Sequence, residues 1–288
     1  LHGGAYRALA QLLREGERWE ALRDLIEARA QHVPDAKERL ALLWQAIEID
    51  EVLVYDRGHS VELLRAILSL DAKDLRACRL LERNYAAAER WRDLDDLLVY
   101  ESDLVPREEV PELKLRRAEL ALVRFSQAGT ALDLLSEVLE QAPAHPRAVS
   151  FVERILDDPE QRQRAAIMLE PIYTATENWS RLVEILDIER EGQEGATAVD
   201  LLVRKAEVQE SKLQDAAAAW ETWRQVLKQD SHSARALAEA ERLAGVLGRW
   251  RELRELYHAL AEERDPSDIA GIADLLGRAA QLCQVHLK

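Results

Sequence analysis

One phrase occurs four times in this chain and limits what it can fold into. It reads "REGERWEALRDLI" at Arg14 to Ile26, "AAAERWRDLDDLL" at Ala86 to Leu98, "TATENWSRLVEIL" at Thr174 to Leu186 and "GVLGRWRELRELY" at Gly245 to Tyr257. Each Trp is followed by Leu three residues on and by a bulky apolar residue seven on, as with Leu94 and Leu98 after Trp91. Those offsets place the side chains on one face of an α-helix, so each phrase opens an amphipathic helix with Trp in its first turn. The face must bury itself on a neighbouring helix. This makes the four tryptophans core residues and not rungs that grip a ligand. Trp223 shares a large apolar slot with Leu64 and Leu135, whereas Trp44 and Trp220 are less constrained and are expected to be partly exposed.

The tryptophans at 19, 91, 179 and 250 are separated by 72, 88 and 71 residues. Ala46, Ala118 and Ala206 each follow a Trp by 27 residues, and Ala279 follows Trp250 by 29. Leu68, Leu139 and Leu227 mark a third common slot, with Ala77, Ala148 and Ala236 nine residues beyond it. Self-similarity at a fixed period is the signature of a repeat array. Composition agrees: 48% of the 288 residues are hydrophobic, 32% are charged, and only eight Pro and eleven Gly interrupt them. Few aromatics and no β-branched runs leave helix formers dominant.

Each unit of about 72 residues holds four helical segments, hence two helix–turn–helix repeats. In "RACRLLERNYAAAERW" the order of Cys78, Leu81 and Tyr85, then Trp91 opening the next helix, resembles the tetratricopeptide repeat family. Pro34, Pro106 and Pro143 stand where that family's motif ends, and Ser60, Ala131 and Ala219 match its small residue in the second helix. In the Trp-bearing repeats Leu22, Leu94, Leu182 and Leu253 fill that small slot, so the pattern is a degenerate one. The resemblance implies an all-α, right-handed superhelical solenoid of about sixteen helices. Its repeats would span 1–34, 35–71, 72–106, 107–143, 160–194, 195–231 and 232–265, with a half repeat at 266–288.

The longer interval has its own explanation. "RAVSFVERIL" from Arg147 and "RAAIMLEPIY" from Arg164 both match "RACRLLERNY" from Arg76 without a gap. One extra helix is therefore expected near 145–158, with "DDPE" at 157–160 as the break and a kink in the superhelix between 143 and 178. Both chain ends fall inside a repeat, and solenoid ends normally carry polar caps. The chain thus reads as a piece of a longer protein or as one that associates end to end.

A net charge of −15 opposes wrapping nucleic acid or binding an anionic membrane, and no apolar run is long enough to span a bilayer. Cys78 and Cys283 read as two buried free thiols, compatible with a reducing compartment and favouring the cytoplasm. No catalytic constellation, metal-ligand spacing or phosphate loop emerges, so no enzyme activity, cofactor or metal is expected. His2, His32, His59, His145 and His232 fall near helix ends, where a polar ring is unremarkable.

Arginine carries the remaining signal. The resemblance puts the first helix of each repeat on a concave face where peptides or partner helices dock. Helical projection from Cys78, Leu81 and Tyr85 leaves Arg76, Arg79 and Arg83 on that side. Equivalent slots hold Arg7, Arg14, Arg147, Arg154, Arg164, Arg235 and Arg242, and the alternate repeats add Arg116 and Arg204. As a groove, these twelve would contact an acidic or phosphorylated protein segment. As structure, they would pair with Glu82, Glu153, Glu170 and Glu241 or with carboxylates of the preceding repeat. The expected role is a non-catalytic protein-interaction scaffold. The alternative is a regulatory or substrate-docking arm of a larger kinase or glycosyltransferase whose catalytic part lies outside the chain. A self-assembling rod is a third reading.

Overall fold

The computed structural model describes residues 3–287, and His2 lies outside them. Among the described residues the chain is all-α, with sixteen α-helices, one π-helical turn and no strand. They are α1 (Gly3–Glu15), α2 (Trp19–His32), α3 (Ala36–Ile49), the π-helical turn Asp50–Val54, α4 (Arg57–Leu70), α5 (Leu75–Ala87), α6 (Trp91–Ser102), α7 (Val110–Val123) and α8 (Ala128–Gln141). Then come α9 (Pro146–Ile155), α10 (Arg162–Ala175), α11 (Trp179–Arg190), α12 (Ala196–Ser211), α13 (Ala216–Gln229), α14 (Ala234–Leu247), α15 (Trp250–Glu263) and α16 (Ile269–His286). Two compact units divide at Val138 and Leu139, within α8. In the first unit each helix from α1 to α6 packs on the next, and in the second unit α9 to α16 continue the same way, with α13 also reaching α15. The helix at 146–155 is the extra one, packed on α10.

Seven turns joining first to second helices share one backbone device. Glu17, Tyr55, Glu89, Ser126, Glu177, Gln214 and Gly248 all have φ between 51° and 69°. In the four turns before the repeated tryptophans, the N–H of the next residue returns to a carbonyl five residues back: Arg18 to Leu13, Arg90 to Tyr85, Asn178 to Tyr173 and Arg249 to Ala244, each at 2.9 Å. This is the Schellman closure, which satisfies carbonyls that a helix end leaves unpaired. Six of the seven positions carry a side chain where glycine is the relaxed choice. Six other helix starts are capped by acidic or hydroxyl side chains: Asp35, Asp56, Asp74, Asp215, Ser233 and Asp268 each accept a backbone N–H of the first turn.

The core follows the periodicity. In the first unit Leu22, Ile26, Leu64, Ile67, Cys78, Leu81 and Leu98 are buried, and in the second Leu202, Trp223, Leu243 and Leu253 are. Burial pushes the Cys78 thiol up to about 11, which makes it a packing group and not a nucleophile. Cys283 is also free but only half-buried. Trp220, expected to be partly exposed, is fully buried on α13, a helix that packs on both α12 and α14. Trp44 is half-buried, with the Arg76 guanidinium 4.0 Å above its ring.

The four repeated tryptophans are half-buried at the edge of the core, not inside it. A cation lies over the ring of two, and a stacked imidazole over a third. Arg124 lies 4.1 Å from the Trp91 ring, Lys212 4.9 Å from the Trp179 ring, and the His286 ring stacks on Trp250 at 3.9 Å. Arg124 and Lys212 each sit just past the C-terminus of the following first helix. Such a cation–π contact contributes about 0.5–2 kcal/mol, depending on how far it is desolvated.

The π-helical turn holds a polar knot. Asp50 is fully buried there, its carboxylate accepting from Arg23 Nη1 (2.8 Å) and facing His59 Nδ1 (2.6 Å). His59 Nε2 faces Glu27 at 3.1 Å, so both ring nitrogens meet carboxylates. These contacts tie α2 to α4 through the turn.

Candidate functional site

The first helices carry a run of ion pairs that link each repeat to the one before. In the first unit Arg83 of α5 reaches back to Glu51, and Arg116 of α7 reaches back to Glu82 of α5. In the second, Arg204 of α12 takes Glu170 of α10, and Arg235 and Arg242 of α14 take Glu207 and Glu210 of α12. Arg278 of α16 then takes Glu241 of α14 at 2.7 Å. The arginine follows its carboxylate by 28 to 37 residues, about one repeat. Each rung therefore joins a first helix to the preceding first helix or, at Glu51, to the π-helical turn that continues it.

The remaining arginines of the series lie on α1, α5, α9 and α10. Arg76 is held over Trp44, and Arg164 donates to Gln161 at 2.9 Å. Arg147, at the start of α9, is likewise engaged. Arg7 and Arg14 on α1, Arg79 on α5 and Arg154 on α9 are exposed. Tyrosines complete the pattern: the Tyr173 hydroxyl donates to Glu153 at 2.6 Å and that of Tyr257 to Glu241 at 2.8 Å. Burial, followed by those carboxylates, raises both phenols above their ordinary range.

Beneath two of the rungs lies a second carboxyl. Glu101 of α6 is buried beside Glu82, and Glu189 of α11 sits beside Glu170, the same 19-residue separation in each unit. Burial, then the hydrogen bond and charge of Glu82, pushes Glu101 up to about 8. Burial, then the charge of Glu170, pushes Glu189 up to about 7. One oxygen of each, Oε2 of Glu101 and Oε1 of Glu189, has no hydrogen-bond partner. Two carboxyls sharing one guanidinium are two negative charges against one positive, and a bound proton settles the difference. Nothing in the sequence singled out Glu101 or Glu189. The signal was the recurrence of Glu-x18-Glu-x14-Arg at 82–116 and 170–204.

No group of three or more His, Cys, Asp or Glu among the described residues is arranged to hold a metal ion. No helix among them is long and apolar enough to cross a membrane. What the surface offers chemically is a row of guanidinium groups, fixed in place and partly open to solvent.

No protein-family model matches the sequence, and no curated protein matches it. Among solved structures, the chain is similar to the tetratricopeptide domain of P58(IPK), with 16% identity over 98% of this chain and 79% of that one, at a TM-score of 0.33. A tetratricopeptide repeat protein from Parabacteroides merdae gives 13% identity over 96% and 100% of the two chains, at 0.35. Yeast Tom70 gives 15% over 97% and 59%, at 0.29. By its own paired helices, shared turn geometry and repeat-to-repeat rungs, each unit of the chain is an all-α array of helix–turn–helix repeats.

Proposed function

We propose that this chain is a non-catalytic scaffold that holds a protein partner on the surface of its first helices, with the arginine row reading acidic or phosphorylated groups. The observation behind this reading is the exposure that the paired arginines keep. The side chains of Arg83, Arg204 and Arg242 remain 62%, 47% and 46% exposed while bound to their carboxylates. A guanidinium has five donors and one carboxylate occupies at most two, so each rung presents further N–H groups in a fixed direction. A side chain already held by a neighbour loses little rotamer freedom when a ligand arrives. The perturbed carboxyls lie between packed helices under this row, a place that suits structural pairing better than acid–base work on a substrate.

The test is a binding series on an array of acidic and phosphorylated peptides across rising salt. Replacing Arg76, Arg79 and Arg83 together with Ser should remove binding to the first unit and flatten its salt dependence. Unchanged binding by that variant in moderate salt would overturn the proposal.

A further inference from the structure

Trp19 differs from its three counterparts in what covers it. Arg124 and Lys212 stand 33 residues after Trp91 and Trp179, and each lies over its ring. His286 plays that part for Trp250. The residue 33 after Trp19 is Val52, 56% exposed, and no cation among the described residues lies over the Trp19 ring. In place of a cover there is an open cavity of about 350 Å³, lined by Glu17, Arg18, Trp19, Glu20, Ala21, Leu53 and Val54. Val52, Leu53 and Tyr55, exposed by 56%, 42% and 76%, form an apolar shelf beside it.

We propose that this cavity binds an arginine or lysine side chain of a basic peptide segment, which takes the place over Trp19 that an internal cation takes over Trp91 and Trp179. The chemistry of the walls selects such a group. An indole face attracts a cation within about 6 Å of its centre. Leu53 and Val54 accept an aliphatic stem, and the Glu17 and Glu20 carboxylates outnumber Arg18 at the rim. A neutral apolar side chain would satisfy the stem alone, and an acidic one would meet two carboxylates. The site is separate from the arginine row and takes ligand of the opposite charge, so it stands or falls independently of the function proposed above.

The experiment is an NMR titration of the intact chain, following the tryptophan indole N–H signals. The probes are the peptide Ac-Gly-Ser-Gly-Arg-Gly-Ser-Gly-amide, its lysine version and a norleucine version. The Trp19 signal, identified by its loss in Trp19→Phe, should move saturably with the arginine and lysine peptides and at least tenfold more weakly with norleucine. The Trp91, Trp179 and Trp250 signals should stay in place. Val52→Arg, at an exposed position that leaves the core untouched, supplies an internal cover and should abolish the shift. Glu17→Gln combined with Glu20→Gln should weaken the arginine peptide several-fold and leave norleucine unmoved. Equal binding of norleucine and arginine, or a shift that survives Val52→Arg, would overturn the assignment.

Discussion

Glu101 is buried against Glu82, and the guanidinium that neutralises Glu82, that of Arg116, comes from the following repeat. The pair is therefore a meeting point of three successive helices, α5, α6 and α7. Its proton balance is part of how they hold together.

Stability should fall as the solution becomes alkaline. A folded carboxyl that holds its proton more tightly than the unfolded one stabilises the fold fully below its ordinary pKa of 4.5. That contribution is lost as the pH climbs through about 8 for Glu101 and about 7 for Glu189. Urea unfolding at pH 5 and pH 8.5 should differ by about 2–4 kcal/mol per site. Glu101→Gln, which stays neutral, should flatten the dependence in the first unit; an equally steep fall in that variant would contradict the account.

Trp91 and its cover should separate cleanly by mutation. Trp91→Ala is expected to cost about 3 kcal/mol, the low end of the range for a large aromatic because the ring is half-buried. Arg124→Ala removes only the cation and should cost about 0.5–1 kcal/mol. Chemical denaturation of the two variants measures the difference, and equal losses would mean that the ring contributes nothing through packing.

The left-handed turns offer a stabilising change. Glu89 has φ 53° in the position that Gly248 fills at φ 69° in the last such turn. Glu89→Gly removes a steric cost of about 1–2 kcal/mol and adds back an entropic one of about 0.5–1 kcal/mol. A rise in stability of about 0.5–1 kcal/mol should appear in thermal melts. Gly248→Ala should lower it by a similar amount.

Asp50 is the opposite case, a charge the fold depends on. Asp50→Ala would leave Arg23, whose side chain is only 12% exposed, with its buried partner gone, at a cost of about 3–5 kcal/mol. Arg23→Met in the Asp50→Ala background should recover much of that loss. Denaturant midpoints of the two single variants and the double variant give the coupling, and no recovery would show that Asp50 acts through His59 instead.

How much of this was legible in the sequence depends on the range of the interaction. Helix positions, the extra helix at 146–155 and core residues such as Leu81 and Leu98 were readable because they follow local periodicity. The rungs were half readable: the recurring Arg and Glu slots are visible, but which repeat supplies the partner depends on how neighbouring first helices are spaced. The burial of Trp220 was not readable, because its helix packs on two neighbours, which the pattern within one helix does not contain. The knot of Arg23, Asp50 and His59 was invisible, since a histidine near a helix end looks solvated until the turn beside it is known.

That turn also explains an arithmetic oddity. Ala118 and Leu139 are 21 residues apart, as are Ala206 and Leu227, but Ala46 and Leu68 are 22 apart. The stretch from Ala46 to Leu68 carries one surplus residue, and the wider winding at Asp50–Val54 accommodates it inside the helix. Within that turn Asp50 is fully buried, while Val52, which stands where the later repeats carry the cation over their tryptophan, is exposed and apolar. An indel of the smallest size thus separates one repeat from its siblings, closing a core contact on one side of the helix and opening a cavity on the other.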